Sequence, residues 1–599
     1  MPPIAINHDR SRRRSRRLSS NELAGSLTHG GSRGGYLVPS PLKNPCKGCI
    51  NDDEISAEPV EFSIKDNDNI RETVIDETTD LLFVDENDAG TFNYDSTTTT
   101  NDNPATASNT VYPVYVYHDV ESNDELTLFQ KDYTSTYEEF CVLFQSAFPL
   151  IITFLLQNSF SVASIFSVGH LGKKELAGIT LGSMTANITG YAAIQGLSTC
   201  LDTLCCQAYG ARRYHLVGIY LQRCVALILT AFVPICLFWF FAAESTILFI
   251  LPKSELGDGN KEDLARLAAN YLKVVSIGVP GFVIFECGKR FLQAQGIFHA
   301  STYILLICAP INICLNYLLV WNDTVGIGFL GAPLSVAIVN WLMAIGLIVF
   351  TVTTKHPANV MKSWGGLNVS LAFQHWNRMF HLAVNGLIMV EAEFLAFEIL
   401  TIFSSYLGII ALDANSVVSS ITALTYQIPF AVSIAGSTRL ANYIGASLPN
   451  CAKKCCQVTL LVGGIVAIFN CAMVFLFKRP IASLFTSDPE VIDQVVDILK
   501  IIAVIQLFDA MNSVTAGLLR GEGMQHIGSI TNLSSYYIIG LPLAYFLTFK
   551  MGFGLQGLWI GTGVGLFCIS VVQIFFSLHV DWDDIISVAQ KRNERESNL

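Results

Sequence analysis

Past residue 140 the chain settles into long apolar runs separated by short polar breaks, and about twelve of them reach the roughly 20 residues that a helix needs to cross a bilayer. They centre on residues 141–165, 176–199, 216–243, 267–288, 300–321, 331–353, 380–404, 411–435, 457–477, 492–516, 530–549 and 555–578. Before residue 135 the pattern is polar, with a basic stretch from Arg10 to Arg17, an acidic one at Asp52-Asp53-Glu54 and threonines at 97–100. Such a stretch buries too little apolar surface to offset the entropy cost of ordering it. The expected fold is an all-α polytopic membrane protein. Its parts are a disordered cytosolic tail over 1–134, an N-terminal six-helix lobe over 135–354 and a cytosolic linker over 355–379, followed by a C-terminal six-helix lobe over 380–578 and a cytosolic tail over 579–599.

The two halves repeat one another. Leu171-Gly172, Leu176, Gln207 and Gly210-Ala211 have counterparts in Leu407-Gly408, Leu412, Asn442 and Gly445-Ala446, offset by 236 and then 235 residues. Gln293-Ala294-Gln295-Gly296 with His299 corresponds to Arg520-Gly521-Glu522-Gly523 with His526, and the glycines at 326, 328 and 331 to those at 552, 554 and 557, offset by 227 and 226. Six helices per half is an even number, so the repeats run parallel about an axis along the membrane normal. Two such lobes enclose a central cavity, and rocking them alternates its access. The second and eighth runs, rich in Ser, Thr, Ala and Gly, are expected on its wall.

Composition narrows the class further. Only 14% of the 599 residues are charged against 51% hydrophobic, whereas a soluble domain carries about a quarter charged residues. An ordinary soluble enzyme is excluded, and no motif asks for a cofactor, a nucleic acid or a phosphate-binding loop. The net charge of −12, from 37 Lys and Arg against 49 Asp and Glu, owes much to the polar N-terminal stretch. No cleavable signal is expected there, so the first helix would drive insertion. Orientation follows Lys and Arg: Arg212, Arg213, Lys289, Arg290, Lys355, Lys362, Arg378, Arg439, Lys453, Lys454 and Arg520 are assigned to cytosolic connections, which puts both termini in the cytosol. The expected setting is the vacuolar or plasma membrane, with the protein acting as a monomer in the bilayer.

An ionisable residue in the middle of a spanning helix costs about 2.5–3.5 kcal/mol to insert, so it faces a cavity or a partner. The seventh run carries Glu391, Glu393 and Glu398, and the tenth carries Asp509. At about 100° per residue Glu391 and Glu398 share a face, with Glu393 well around the helix. The seventh run has no Lys or Arg, and Lys500 lies roughly 13 Å along the axis from Asp509 at about 1.5 Å per residue. The acids therefore read as cavity-facing sites for a proton or cation. Asp202, just past the second run, is an accessory candidate that fits capping or loop anchoring equally well, and Glu286 beside Lys289 and Arg290 reads as an interfacial ion pair. Tyr191, Phe394, Phe397 and Tyr426 are candidates to receive a flat or cationic substrate. Pro149 and Pro429 fall within runs and can bend them. Most of the 16 cysteines sit in or beside apolar runs, where they act as small hydrophobes. The exception, Cys46-Lys47-Gly48-Cys49, has no second ligand pair, and no metal is expected. Arg16-Arg17-Leu18-Ser19-Ser20 fits a basic-directed kinase site.

These residues carry a resemblance. The stretch Gly196-Leu197-Ser198-Thr199-Cys200-Leu201-Asp202-Thr203-Leu204-Cys205-Cys206-Gln207-Ala208-Tyr209-Gly210-Ala211 is similar to the multidrug and toxic compound extrusion (MATE) family in its eukaryotic, fungal form. So are Arg290-Phe291-Leu292-Gln293-Ala294-Gln295-Gly296, Glu393-Phe394-Leu395-Ala396-Phe397-Glu398 and Gly517-Leu518-Leu519-Arg520-Gly521-Glu522-Gly523. The resemblance, over about residues 140 to 578, implies twelve helices in two lobes and export of organic cations, drugs or metabolites in exchange for H+ or Na+. It implies cation-coupling acids at Glu393, with Glu398 beside it, and at Asp509, while Glu391 falls outside the motif. Where bacterial relatives often carry an acid in the first helix this chain reads Leu156-Gln157-Asn158, so Gln157 is a candidate for the substrate cavity instead. The eighth run has Ser419-Ser420 where some animal members have a further glutamate, so their cation selectivity does not carry over. The alternatives are a lipid-linked precursor flippase, which calls for a basic cavity, and a membrane receptor or scaffold acting through the long tail.

Overall fold

The computed structural model describes residues 132–169, 171–250, 258–322, 324–354, 360–486 and 488–597. The tail expected over 1–134, with Cys46, Cys49 and the motif at 16–20, lies outside them except for residues 132–134. Among the described residues there is helix and no strand. Twelve passes follow in order: α1 (Thr136–Gly169), α2 (173–210, with a π-helical turn at Asn187–Tyr191), α3 (Tyr214–Phe241), α4 (Asp258–Val275 and Val279–Ala294), α5 (His299–Trp321) and α6 (Gly331–Thr353). The second half holds α7 (Trp376–Ser405), α8 (Ile409–Gly445), α9 (Pro449–Phe485), α10 (Pro489–Glu522), α11 (525–550) and α12 (Gly554–Leu578). A last helix, α13 (Trp582–Ser597), follows.

Eight passes, α1, α3, α5, α6, α8, α9, α11 and α12, are long and apolar enough to cross a membrane by length and composition alone. The two arms of α4, bent by 55°, make a ninth if taken as one span. Its second arm starts with Pro280 in the first turn, where a missing N–H costs nothing. The other three, α2, α7 and α10, carry the polar and charged residues that turn inward. The helices also outrun the apolar runs: α8 and α9 have 37 residues and α10 has 34, roughly 50 Å or more at about 1.5 Å per residue against a hydrocarbon core of about 30 Å. Seven of the basic residues assigned to connections therefore lie inside these helices, Arg378 in α7 and Lys453 and Lys454 in α9 among them. Lys289 and Arg290 in α4 and Arg520 in α10 are buried, and Arg439 in α8 is half-buried, bonded through Nε and Nη2 to the Glu139 carboxylate at 2.6 and 2.8 Å.

The halves meet as the repeat demands. Helix α1 packs on α8 as α7 packs on α2. Gly210 lies against the Asn442 carbonyl, and Gly445 against the Gln207 carbonyl. Gly210 and Gly445 are repeat partners, as are Gln207 and Asn442, so the contact is reciprocal across a pseudo-two-fold axis. One apolar core fills the N-terminal lobe around Trp239, Phe285 and Leu272, and another fills the C-terminal lobe around Trp559, Ile498 and Leu499. Both buried indoles are satisfied, Trp239 Nε1 donating to Thr189 Oγ1 at 2.8 Å and Trp559 Nε1 to Asn415 Oδ1 at 3.2 Å. A third core joins Leu143 and Leu150 of α1 to Tyr443 and Leu448, and there Ile586 and Ala589 of α13 insert. The segment expected as a C-terminal tail is thus a docked helix.

The hydrogen bonds joining the lobes gather at the end where α1 begins, termed here the terminal face. Thr203 Oγ1 donates to the Arg520 carbonyl at 2.5 Å, Gln207 Nε2 to the Gly521 carbonyl at 2.9 Å and Gln525 Nε2 to the Thr199 carbonyl at 3.3 Å.

Candidate functional site

A cavity of about 510 Å³ lies between the lobes. Helices α2 and α8 both contribute to its wall, as their composition suggested, through Asn187 and Tyr191 on one side and Thr422 and Tyr426 on the other. Gln157 of α1 and Phe394 and Phe397 of α7 complete the placement of the five substrate candidates on the lining. Gln157, Tyr191 and Tyr426 are held from behind. Gln157 Nε2 donates to Glu286 at 3.2 Å, and the Tyr191 hydroxyl accepts from Asn340 Nδ2 at 3.2 Å. The Tyr191 ring meets Phe282 edge-on at 4.7 Å, and Tyr426 stacks on Phe430 at 5.6 Å. Such faces suit a flat or cationic ligand.

The acids divide. Glu393, Glu398 and Asp509 line the cavity, and Glu391 does not. The lining positions of α7 run from Met389 to Glu398 over an arc of roughly 180° at about 100° per residue. Glu393 lies well inside that arc, Glu398 at its edge and Glu391 just past it. Sharing a face with Glu398 was therefore not enough to bring Glu391 into the site. Among the described residues none of the three lining acids is within ion-pair distance of a basic side chain. Lys500 pairs with Asp497 at 2.7 Å on the exposed side of α10.

The floor at the terminal face is charged, which the sequence reading missed. Lys289, Arg290 and Arg520 all reach the lining. Lys289 pairs with Glu286 at 2.7 Å, with both side chains under 5% exposed; the pair expected at the membrane interface is a buried part of the cavity wall. Asp202 sits beneath the floor, taking Arg290 Nη1 at 2.5 Å on one oxygen and facing Arg520 Nε at 3.4 Å with the other. Arg290 belongs to the N-terminal lobe and Arg520 to the C-terminal lobe, so Asp202 bridges the two. Arg290 Nε also donates to Ser198 Oγ and Arg520 Nη2 to Ser433 Oγ, both at 3.0 Å. A signal for these cations was present: Phe291-Leu292 follows Arg290, and Gly517-Leu518-Leu519 leads into Arg520, apolar flanks that continue a helix instead of marking a loop.

Twelve helical passes in two reciprocal lobes around a central cavity lined by aromatic rings and a few charged groups define an integral membrane transporter. A model of the MatE family matches the chain twice, over residues 149–318 and 387–546, once per lobe, and the chain belongs to this family, in its eukaryotic, fungal form. It is 42% identical to an uncharacterized transporter of Saccharomyces cerevisiae over 81% of this chain and 68% of that one. It is 30% identical to Protein DETOXIFICATION 16 of Arabidopsis thaliana over 75% of this chain and 90% of the other. The same identity links it to Multidrug and toxin extrusion protein 1 of Oryctolagus cuniculus, over 74% of this chain and 76% of that protein. Among solved structures, the eukaryotic MATE transporter AtDTX14 superposes with a TM-score of 0.71 at 27% identity, over 76% of this chain and 99% of its own.

Proposed function

We propose that the protein is a secondary antiporter that exports organic cations, drugs or metabolites in exchange for protons or sodium by alternating the access of the central cavity. The observation that carries this reading is the set Glu393, Glu398 and Asp509 on the cavity lining with no basic side chain at ion-pair distance among the described residues. Carboxylates so placed can be neutralised in turn by the coupling ion and by a cationic substrate, and two ligands competing for one charge is the basis of exchange. Tyr191, Phe394, Phe397, Tyr426 and Gln157 receive the substrate. Glu391 and Asp202 take no direct part.

In this reading the lobes comprise residues 135–354 and 380–578, joined by the linker over 355–379. Both termini lie in the cytosol, the terminal face is the cytosolic side, and the protein works as a monomer in the vacuolar or plasma membrane. A flippase needs basic groups free to take an anionic head group, but Lys289, Arg290 and Arg520 each face an acid already.

The test is efflux of an organic cation from vesicles carrying the reconstituted full chain, driven by an imposed pH gradient without sodium or by a sodium gradient at equal pH. Transport driven by one of the gradients is expected in the native protein, falling to the level of empty vesicles in Glu393→Gln and in Asp509→Asn. Unchanged gradient-driven transport in both variants would overturn the assignment.

A further inference from the structure

Helix α13 is fastened to the two lobes by different chemistry. On the C-terminal lobe the attachment is apolar: α13 packs on α8 and α9, where Ile586 and Ala589 enter the core beside Tyr443 and Leu448, and Gln590 Nε2 adds a bond to Ser447 Oγ at 2.7 Å. On the N-terminal lobe it is polar. Arg592 donates to Gln207 Oε1, Asn593 Nδ2 donates to the Gln207 carbonyl at 3.3 Å, and Glu596 pairs with Arg223 at 2.7 Å, the last two side chains being 9% and 3% exposed. Arg223 Nε also donates at 3.2 Å to the carbonyl of Leu371, within the segment that connects the lobes. Gln207 is itself bonded to Gly521 of the opposite lobe at 2.9 Å and lies in the reciprocal crossing of Gly210 and Gly445.

We propose that α13 is an interlobe strap: its apolar face stays with the C-terminal lobe throughout the transport cycle, while Arg592 and Glu596 are positioning residues that hold the terminal face shut and let go when it opens. The asymmetry of the fastening carries the inference. An apolar anchor has no alternative partner in water and remains seated. A guanidinium and a carboxylate separated at an opening aqueous face are each taken up by water, so the same contact can form and break every cycle. The terminal face cannot part without separating Glu596 from Arg223 and Arg592 from Gln207, because each pair joins a residue that moves with one lobe to a residue of the other.

This inference rests on the alternating-access part of the proposed function and not on the coupling ion. The experiment is amide hydrogen exchange on the full chain in lipid nanodiscs, with no ion gradient and no substrate, comparing the native protein with Glu596→Gln, Glu596→Asp and a chain ending at Asp581. Release of the strap is expected to raise exchange at the terminal face, over residues 199–213 and 439–450, by about tenfold, while exchange at the far end, over 171–182 and 405–413, falls as that side closes. Glu596→Asp, which keeps the charge, is expected to restore much of the native pattern. Opposite changes at the two ends are what a shifted gate produces. A rise at both ends in the shortened chain would mark lost packing and overturn the proposal, as would no change in Glu596→Gln. A protein whose transport proves insensitive to both proton and sodium gradients would defeat the proposed antiport and leave this measurement unaffected.

Discussion

Asp202 holds two guanidinium groups on one carboxylate, all three side chains about 5% exposed. Removing one member of a buried ion pair strands the other charge at a cost of about 3–5 kcal/mol, and here a single change strands two. Asp202→Asn keeps the shape and removes the countercharge, so it is expected to destabilise the protein on that scale and to lower the midpoint of thermal unfolding in detergent by several degrees. Glu393→Gln, which removes a charge with no ion-pair partner among the described residues, is expected to leave that midpoint unchanged or higher. The pair of measurements separates a residue that holds the lobes together from one that serves transport, and a stable Asp202→Asn protein would place Asp202 in the second group. Asp202 read ambiguously because it lies just past an apolar run with no basic residue beside it, and both its partners lie far along the chain, one in each lobe.

At the scale of elements the decisive contact is the crossing of α2 and α8. A Cβ on Gly210 would run into the Asn442 carbonyl and a Cβ on Gly445 into the Gln207 carbonyl, whereas Gly464 of α9 has nothing within 4 Å. Over-packing of this kind costs about 1–3 kcal/mol. Gly210→Ala and Gly445→Ala are therefore expected to reduce transport and stability to a similar degree because the axis makes their surroundings equivalent, while Gly464→Ala is silent; unequal losses would show that the reciprocal seam is not shared by the working protein. The repeat glycines were legible in the sequence, and so were the apolar runs that became the passes and the small, polar composition that put α2 and α8 on the cavity wall. The helix ends were not. An apolar run measures the part of a helix that touches lipid, and α8 and α10 continue well beyond it on faces covered by the other lobe, where Arg439 and Arg520 look like loop charges to any count based on hydropathy. Helix α13 escaped for the opposite reason: its apolar positions at Trp582, Ile585, Ile586 and Ala589 sit among enough charge that only the surface it docks on reveals it.

For the molecule as a whole, exchange requires that the coupling ion and the substrate oppose one another at equilibrium, and that opposition is reciprocal: whatever factor protonation takes from substrate affinity, bound substrate takes from proton affinity. If the proton is the coupling ion, a cationic substrate seated against ionised Glu393 and Asp509 displaces whatever protons those groups carried. Over the range in which the acids are protonated in the free protein, its Kd then rises by up to about tenfold for each proton displaced and each pH unit of acidification. The sign is fixed by the charge, since a protonated carboxyl offers a cation no attraction. Binding of a fluorescent organic cation to the full chain in sodium-free nanodiscs, with no gradient, is therefore expected to tighten as the pH is raised through the range in which these carboxyls give up their protons, and the slope of log Kd against pH counts the protons displaced. Glu393→Gln and Asp509→Asn are each expected to flatten that slope, and the double variant to abolish it while retaining weak binding on Tyr191, Phe397 and Tyr426. A native slope of zero would remove the proton as coupling ion and leave sodium to be tested by the same titration. A full slope in the double variant would place the exchange on Glu398, the third carboxyl of the set, which reaches the cavity from the edge of the same helix face.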